Sequence, residues 1–144
     1  MIFAQSGQHM ITTVLGSCIS VCLWDAALHF GGMNHYLLPF WNGDGLQTPK
    51  YGNVAIPMLV EKMISLGSSR GNLRAKVFGG ANILENSSGL LNIGARNISF
   101  AETALIENRI MVLGKDIGGT AGRKVMFLTS TGEVFVKKVV KGQG

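Results

Sequence analysis

Only two cysteines occur in the 144 residues, too few for a disulfide framework. Charged residues are scarce, at 15% of the chain against 47% hydrophobic, which excludes a disordered tail or solvating segment and implies a compact core. The N-terminus, MIFAQSGQHM, has no basic region followed by an apolar run, so no signal peptide is expected. The longest apolar runs are broken by Thr, Ser and Gly well short of a membrane span. With free thiols and no membrane insertion, the expected compartment is the cytoplasm. The glycine pairs in FGGAN and DIGGTAG lack the spacing of a dinucleotide fingerprint and the Lys-Ser/Thr of a P-loop. No Gly-x-Ser-x-Gly elbow is present either.

What is abundant is glycine, twenty in all, which favours tight turns in a mixed α and β chain over a helical bundle. The formal net charge is +5, but its carriers are scattered: Arg70, Arg74 and Lys76 in one loose group, Lys137, Lys138 and Lys141 in another. Neither group is interleaved with aromatics, so both read as solvated surface, with an acidic protein partner ahead of nucleic acid as the alternative. No repeat or linker is visible, and residues 1–144 read as a single domain.

Ile11 to Leu15 and Ile19 to Trp24 read as one bent strand or two short ones, interrupted at Gly16-Ser17. A turn at Asp25 to Leu28 leads back through a strand from Phe30 to Leu37. Ile56, Leu59, Met63 and Leu66 recur at helical spacing, predicting a helix over Val54 to Leu66 with Asn53 as cap, Pro57 in the first turn and Gly67 at the end. A short strand, Ala75 to Phe78, runs into FGGAN. A second helix is expected from Asn97 to Ser99 onward, with Ser99 and Glu102 as a capping box. A strand at Ile110 to Leu113 and a hairpin of Lys124 to Leu128 with Val134 to Val140 complete the chain. This order predicts an α+β fold, a mixed β-sheet sandwich with flanking helices.

The chemistry concentrates at Cys18, which follows Gly16-Ser17 at a bend. A thiol of ordinary pKa, about 8.5, is only slightly ionised at neutral pH and needs a base to become a useful nucleophile. His35, in GGMNHYLLP, meets Cys18 if the two strands pair through the turn at Asp25. An activated Cys18 should then alkylate well below pH 8. The competing reading makes Cys18 a small core hydrophobe in a non-catalytic adaptor. Cys22 lies on the same strand face as Cys18 but about 13 Å along it, too far for a bridge, and reads as core. A zinc site from Cys18, Cys22 and His35 lacks a fourth ligand. The His35 ring needs an orienting oxygen, and Thr12, Asn34 and Asn82 are all open candidates.

Taken together, TVLGSCISVCLWD, GGMNHYLLP, AKVFGGANIL, IGARN and DIGGTAGRKVMFLTSTGEVFV resemble the CheD family of chemoreceptor glutamine deamidases, from about Thr12 to Val139. The resemblance implies Cys18 as nucleophile, His35 as its histidine, and Thr12, six residues before the cysteine, as the third catalytic member. It implies a fold similar to the deamidase domain of cytotoxic necrotizing factors, and a substrate among methyl-accepting chemotaxis receptors, whose glutamines become glutamates through a thioester. It implies no cofactor and no metal, and some members bind a CheC-type phosphatase. The coiled-coil substrate implies a shallow groove, walled by the Trp41 to Gly52 loop and the FGGAN turn. The family's opening strand, with its Gly-Glu pair, is not recognisable in MIFAQSGQHM.

Overall fold

The computed structural model describes residues 1–41, 43, 45–82 and 92–139. Among the described residues, eight strands form two sheets. The larger, in the order β1-β4-β3-β5-β6, is built from β1 (Ile2–Gln5), β3 (Ile19–Asp25), β4 (Phe30–Asn34), β5 (Leu73–Gly79) and β6 (Met111–Ile117). The smaller, in the order β2-β7-β8, joins β2 (Met10–Leu15), β7 (Gly122–Leu128) and β8 (Val134–Val139). Helices α1 (Gly52–Ser65) and α2 (Ile93–Glu107) complete the described elements. The expected α+β class with two sheets and helices is what is observed.

Strand β3 explains the layering. It is buried nearly throughout, as a central strand covered on both faces must be. Ile19, Val21 and Leu23 point to one side, where Ile56, Leu59 and Met63 of α1 and Leu105 of α2 close a core. Cys22 points to the other, against Ile11 and Leu15 of β2 and Val125 and Phe127 of β7. The order of layers is therefore helices, large sheet, small sheet. Burying one such side chain stabilises the fold by about 1.5–3 kcal/mol, so both faces of β3 carry substantial weight.

Gly16-Ser17 does more than bend a strand: β2 and β3 belong to different sheets, and the residues between them carry the chain across the sandwich. The turn after β3 is held by Asp25, whose Oδ1 accepts from the N–H groups of Ala27 and Leu28, both at 2.8 Å. Ser68 donates its hydroxyl proton to the other carboxylate oxygen. Burial alone would raise the Asp25 carboxyl, but these hydrogen bonds, with His29 nearby, hold it below its ordinary value.

Several local expectations need correction. The N-terminal segment does hold an opening strand: Ile2 to Gln5 pair antiparallel with Asn34 to Gly31. Asn53 does not cap α1, which starts after Tyr51 without a side-chain cap; its amide instead bonds both backbone groups of Trp41. The earlier start puts Pro57 in the second turn, where the helix forgoes one backbone hydrogen bond. Helix α2 starts at Ile93, capped by Asn92, whose side chain accepts from Ala95 N–H at 3.0 Å. Ser99 and Glu102 therefore lie inside the helix, and Glu102 pairs with Lys115 at 3.1 Å. The strand after α2 runs on to Ile117, beyond the expected Leu113. Asn42, Asp44, the end of the FGGANIL block and the last residue of the expected terminal strand lie outside the described residues.

Candidate active site

The antiparallel pairing of β3 with β4 sets Cys22 opposite Met33. The register continues to a bridge between Ile19 and Tyr36, closed by Ile19 N–H to Tyr36 O at 3.1 Å and Tyr36 N–H to Ile19 O at 2.9 Å. Ser20 then stands across from His35, and Cys18, two residues earlier on the same face, is its diagonal neighbour. Such neighbours lie about 7–8 Å apart at the backbone, within reach of an imidazole. Both side chains face the small sheet, and both are half-buried.

The small sheet supplies the third group. The Thr13 hydroxyl and His35 Nδ1 share a hydrogen bond of 2.8 Å. The resemblance implies Thr12 for this place; the hydrogen bond found here is made by Thr13. Strand β2 alternates strictly, with Ile11, Thr13 and Leu15 turned inward and Met10, Thr12 and Val14 outward. Thr12 is exposed on the outer face, opposite Met126, on the far side of its own strand from His35. Of the two other candidates for that role, Asn34 has its amide oxygen engaged elsewhere. Asn34 Oδ1 accepts from Val21 N–H at 2.9 Å, and Asn82 donates its backbone N–H to Gly119 O at 2.8 Å. The inward alternation of ITTVL carried the signal for Thr13.

Burial, and secondly the charge of the Met1 amino group, lowers the His35 pKa, which favours the neutral imidazole. Burial pushes the Cys18 thiol up, partly offset by its own backbone N–H. Both shifts favour the neutral pair, thiol and imidazole, over the ion pair. Among the described residues, no hydrogen bond joins the sulfur to the ring; His35 bonds through its side chain to Thr13. Catalytic contacts of this kind commonly tighten only around bound substrate.

Cys18 sits in a frame of main-chain bonds. Gly80 N–H donates to Cys18 O at 2.9 Å and Ala81 N–H to Gly16 O at 3.0 Å. Gly79 permits this approach: its φ is +107°, and a Cβ there would lie 2.1 Å from Cys18 O. The glycines of FGGAN thus serve close packing against the cysteine segment. Behind them, Gly118 N–H donates to Gly79 O at 2.9 Å. The buried Arg123 braces that loop, donating to Asp116 Oδ1 at 2.5 Å and to the Gly118 carbonyl.

A family model described as CheD chemotactic sensory transduction matches residues 37–138. A probable chemoreceptor glutamine deamidase CheD of Trichlorobacter lovleyi is 54% identical over 126 residues, covering 88% of this chain and 78% of that protein. The chain belongs to the CheD family. The family-model match begins after Cys18 and His35, but alignment with the CheD of Sulfurimonas denitrificans is 46% identical over 142 residues, covering 97% of this chain and 90% of that protein.

In this CheD chain the remaining sequence candidates separate cleanly. Cys22 is buried in the core between the sheets, its thiol pushed up to about 12 by burial. Both cysteines are free. His29 lies in the turn after β3 with its ring edge-on to Trp24, and His9 stacks edge-on with Phe3. Among the described residues, no three His, Cys, Asp or Glu side chains gather as a metal site. No described helix is long and apolar enough to cross a membrane.

Proposed function

We propose that this protein hydrolyses glutamine side chains of chemotaxis receptors to glutamate, with Cys18 as nucleophile, His35 as base and acid, and Thr13 holding the ring. The observation that carries this reading is the Thr13–His35 hydrogen bond on the face shared with Cys18. The names of the relatives, chemoreceptor glutamine deamidases, support the substrate class. The layering of two sheets with helices outside also fits the fold of the cytotoxic necrotizing factor deamidase domain.

With Nδ1–H donating to Thr13 Oγ1, the unprotonated Nε2 is free to take the thiol proton as sulfur attacks the γ-carboxamide carbon. The carbonyl oxygen becomes an oxyanion, stabilised by the Cys18 N–H. His35 returns the proton to nitrogen, the C–N bond breaks, and ammonia leaves a γ-glutamyl thioester. Water then attacks, its proton passing to His35, and the C–S bond breaks to release glutamate and regenerate the thiol. A glutamyl methyl ester would enter the same thioester with methanol as leaving group. Leu37, Leu38 and Phe40, exposed just after His35, offer a shallow apolar lip suited to a helical substrate.

Cys18→Ala should abolish ammonia release from the cytoplasmic fragment of a methyl-accepting receptor, with the substrate glutamines identified by mass spectrometry. Activity retained in that variant removes Cys18 from the mechanism.

A further inference from the structure

Asn97, in α2, is fully buried, yet it belongs to no part of the chemistry above. Its side-chain amide donates two hydrogen bonds, to Ser17 O at 3.0 Å and to Leu37 O at 2.9 Å. Those carbonyls belong to the residue before the nucleophile and to the residue two after the histidine. Its own backbone carbonyl accepts from the Tyr36 hydroxyl at 2.8 Å. Among the described residues, no partner meets the buried amide oxygen of Asn97.

The bond to Ser17 has a geometric consequence. Ser17 C=O and Cys18 N–H are the two ends of one peptide plane, and this chain has no cis peptide among its described residues. In a trans peptide the C=O and N–H bonds point in opposite directions. Anchoring the carbonyl toward α2 therefore aims the N–H away from α2, on the side where the sulfur lies. Among the described residues no backbone carbonyl accepts from the Cys18 N–H, which lies beside its own sulfur. The next peptide plane is fixed as well, because Gly80 N–H holds Cys18 O. A carbonyl that accepts a hydrogen bond also polarises its own peptide, making the N–H a better donor.

We propose that Asn97 is a positioning residue for the oxyanion site: it locks the Ser17–Cys18 peptide so that the Cys18 N–H faces the developing negative charge. This rests on the deamidase reading, and the test separates the two. Displacement of iodide from iodoacetamide by the Cys18 thiolate creates no oxyanion, whereas acylation by p-nitrophenyl acetate passes through one. Both rates are measured on the full chain with Cys22→Ala as background, for wild type, Asn97→Ala and Asn97→Ser. The serine variant keeps a polar group in the pocket but is too short to span both carbonyls, so it serves where the alanine variant does not fold.

The expected result is acylation slower by about 10- to 100-fold, a fraction of what loss of a whole oxyanion donor costs. Alkylation stays within about threefold, the scatter expected when thiol basicity and access are unchanged. A merely structural Asn97 would lower thermal stability and slow both reactions in parallel; that outcome overturns the proposal, as does wild-type acylation in a folded variant. If the protein carrying Asn97 alkylates at Cys18 but neither acylates nor deamidates receptor, the deamidase reading itself fails.

Discussion

Thr12 and Thr13 differ by one position in the chain and by a whole sheet thickness in environment, which makes them a sharp test. Thr13→Val keeps the shape but removes the hydroxyl 2.8 Å from His35 Nδ1. Losing one side of a buried hydrogen bond leaves the ring nitrogen unpaired, at a cost of about 1–3 kcal/mol. The ring also loses the partner that selects the tautomer with Nε2 free. Removing the charged orienter of a Ser-His-Asp triad lowers kcat about 10⁴-fold. A neutral hydroxyl holds the ring less tightly, so about 10- to 100-fold is expected here, or about 1.4–2.7 kcal/mol at 1.36 kcal/mol per decade. Thr12→Val alters an exposed side chain on the opposite face of β2 and should change stability by no more than about 0.5 kcal/mol, with kcat within about twofold.

The assay is ammonia release from a receptor fragment, with kcat and KM determined separately. Thr13→Ser restores the hydroxyl and should recover most of kcat, whereas a general packing defect would not be repaired by the smaller side chain. Because burial lowers the His35 pKa, the acid limb of kcat/KM should lie below the ordinary histidine value of about 6.5. A slow Thr12→Val beside an unimpaired Thr13→Val refutes the assignment made from strand alternation.

Three further outcomes can be checked. In the native protein, iodoacetamide should label Cys18 with an apparent pKa above that of an ordinary thiol and leave Cys22 unmodified, as peptide mapping across a pH series would show; native labelling of Cys22 would contradict its burial. Gly79→Ala should cost about 3 kcal/mol or more in urea unfolding, because φ is strained for alanine and the new methyl overlaps Cys18 O; wild-type stability would mean that this approach is not close. The Asp25 carboxyl, held low by its hydrogen bonds, stabilises the fold above its unfolded pKa of about 3.9, and that contribution is lost as pH falls through the lower folded value; the gap in urea midpoint between wild type and Asp25→Asn should therefore narrow below about pH 4, and a constant gap would refute it.

Helix α1 was legible because its apolar residues repeat at a strong period, and the antiparallel pairing of β3 with β4 because both strands flank one short turn. What sequence misassigned were choices that depend on distant partners. Asn53 has the chemistry of a cap, but Trp41 takes its amide. Ser99 and Glu102 match a capping box, but α2 packs onto Gly80 and Ala81 one turn earlier, at Gly94, where a Cβ would meet both carbonyls. Strand β1 is short, and its pairing with Gly31 to Asn34 is visible only in three dimensions. Thr12 was implied by the family resemblance, whereas the alternation of β2 turns Thr13, not Thr12, toward His35. Asn97 closes the IGARN block, but a helical asparagine reveals nothing of the carbonyls it bonds.

The residues of the candidate site are few, but the segments that hold them are not, and their glycines now have a shared reason. Cys18 sits between sheets, where neither ladder can pair its peptides. A nucleophile placed there needs its flanking carbonyls satisfied by other means, or it pays the cost of buried unpaired groups. Gly80 and Ala81 answer for Cys18 and Gly16, Asn97 answers for Ser17, and the loop braced by Arg123 holds Gly79 in turn. Side chains at Gly79 or Gly94 would push these backbones apart. The blocks FGGAN, IGARN and DIGGTAGR thus contribute no atom to the proposed reaction, yet each fixes a peptide next to the one that does. Substitutions in them should lower kcat through the geometry of Cys18, even where no substrate ever touches them.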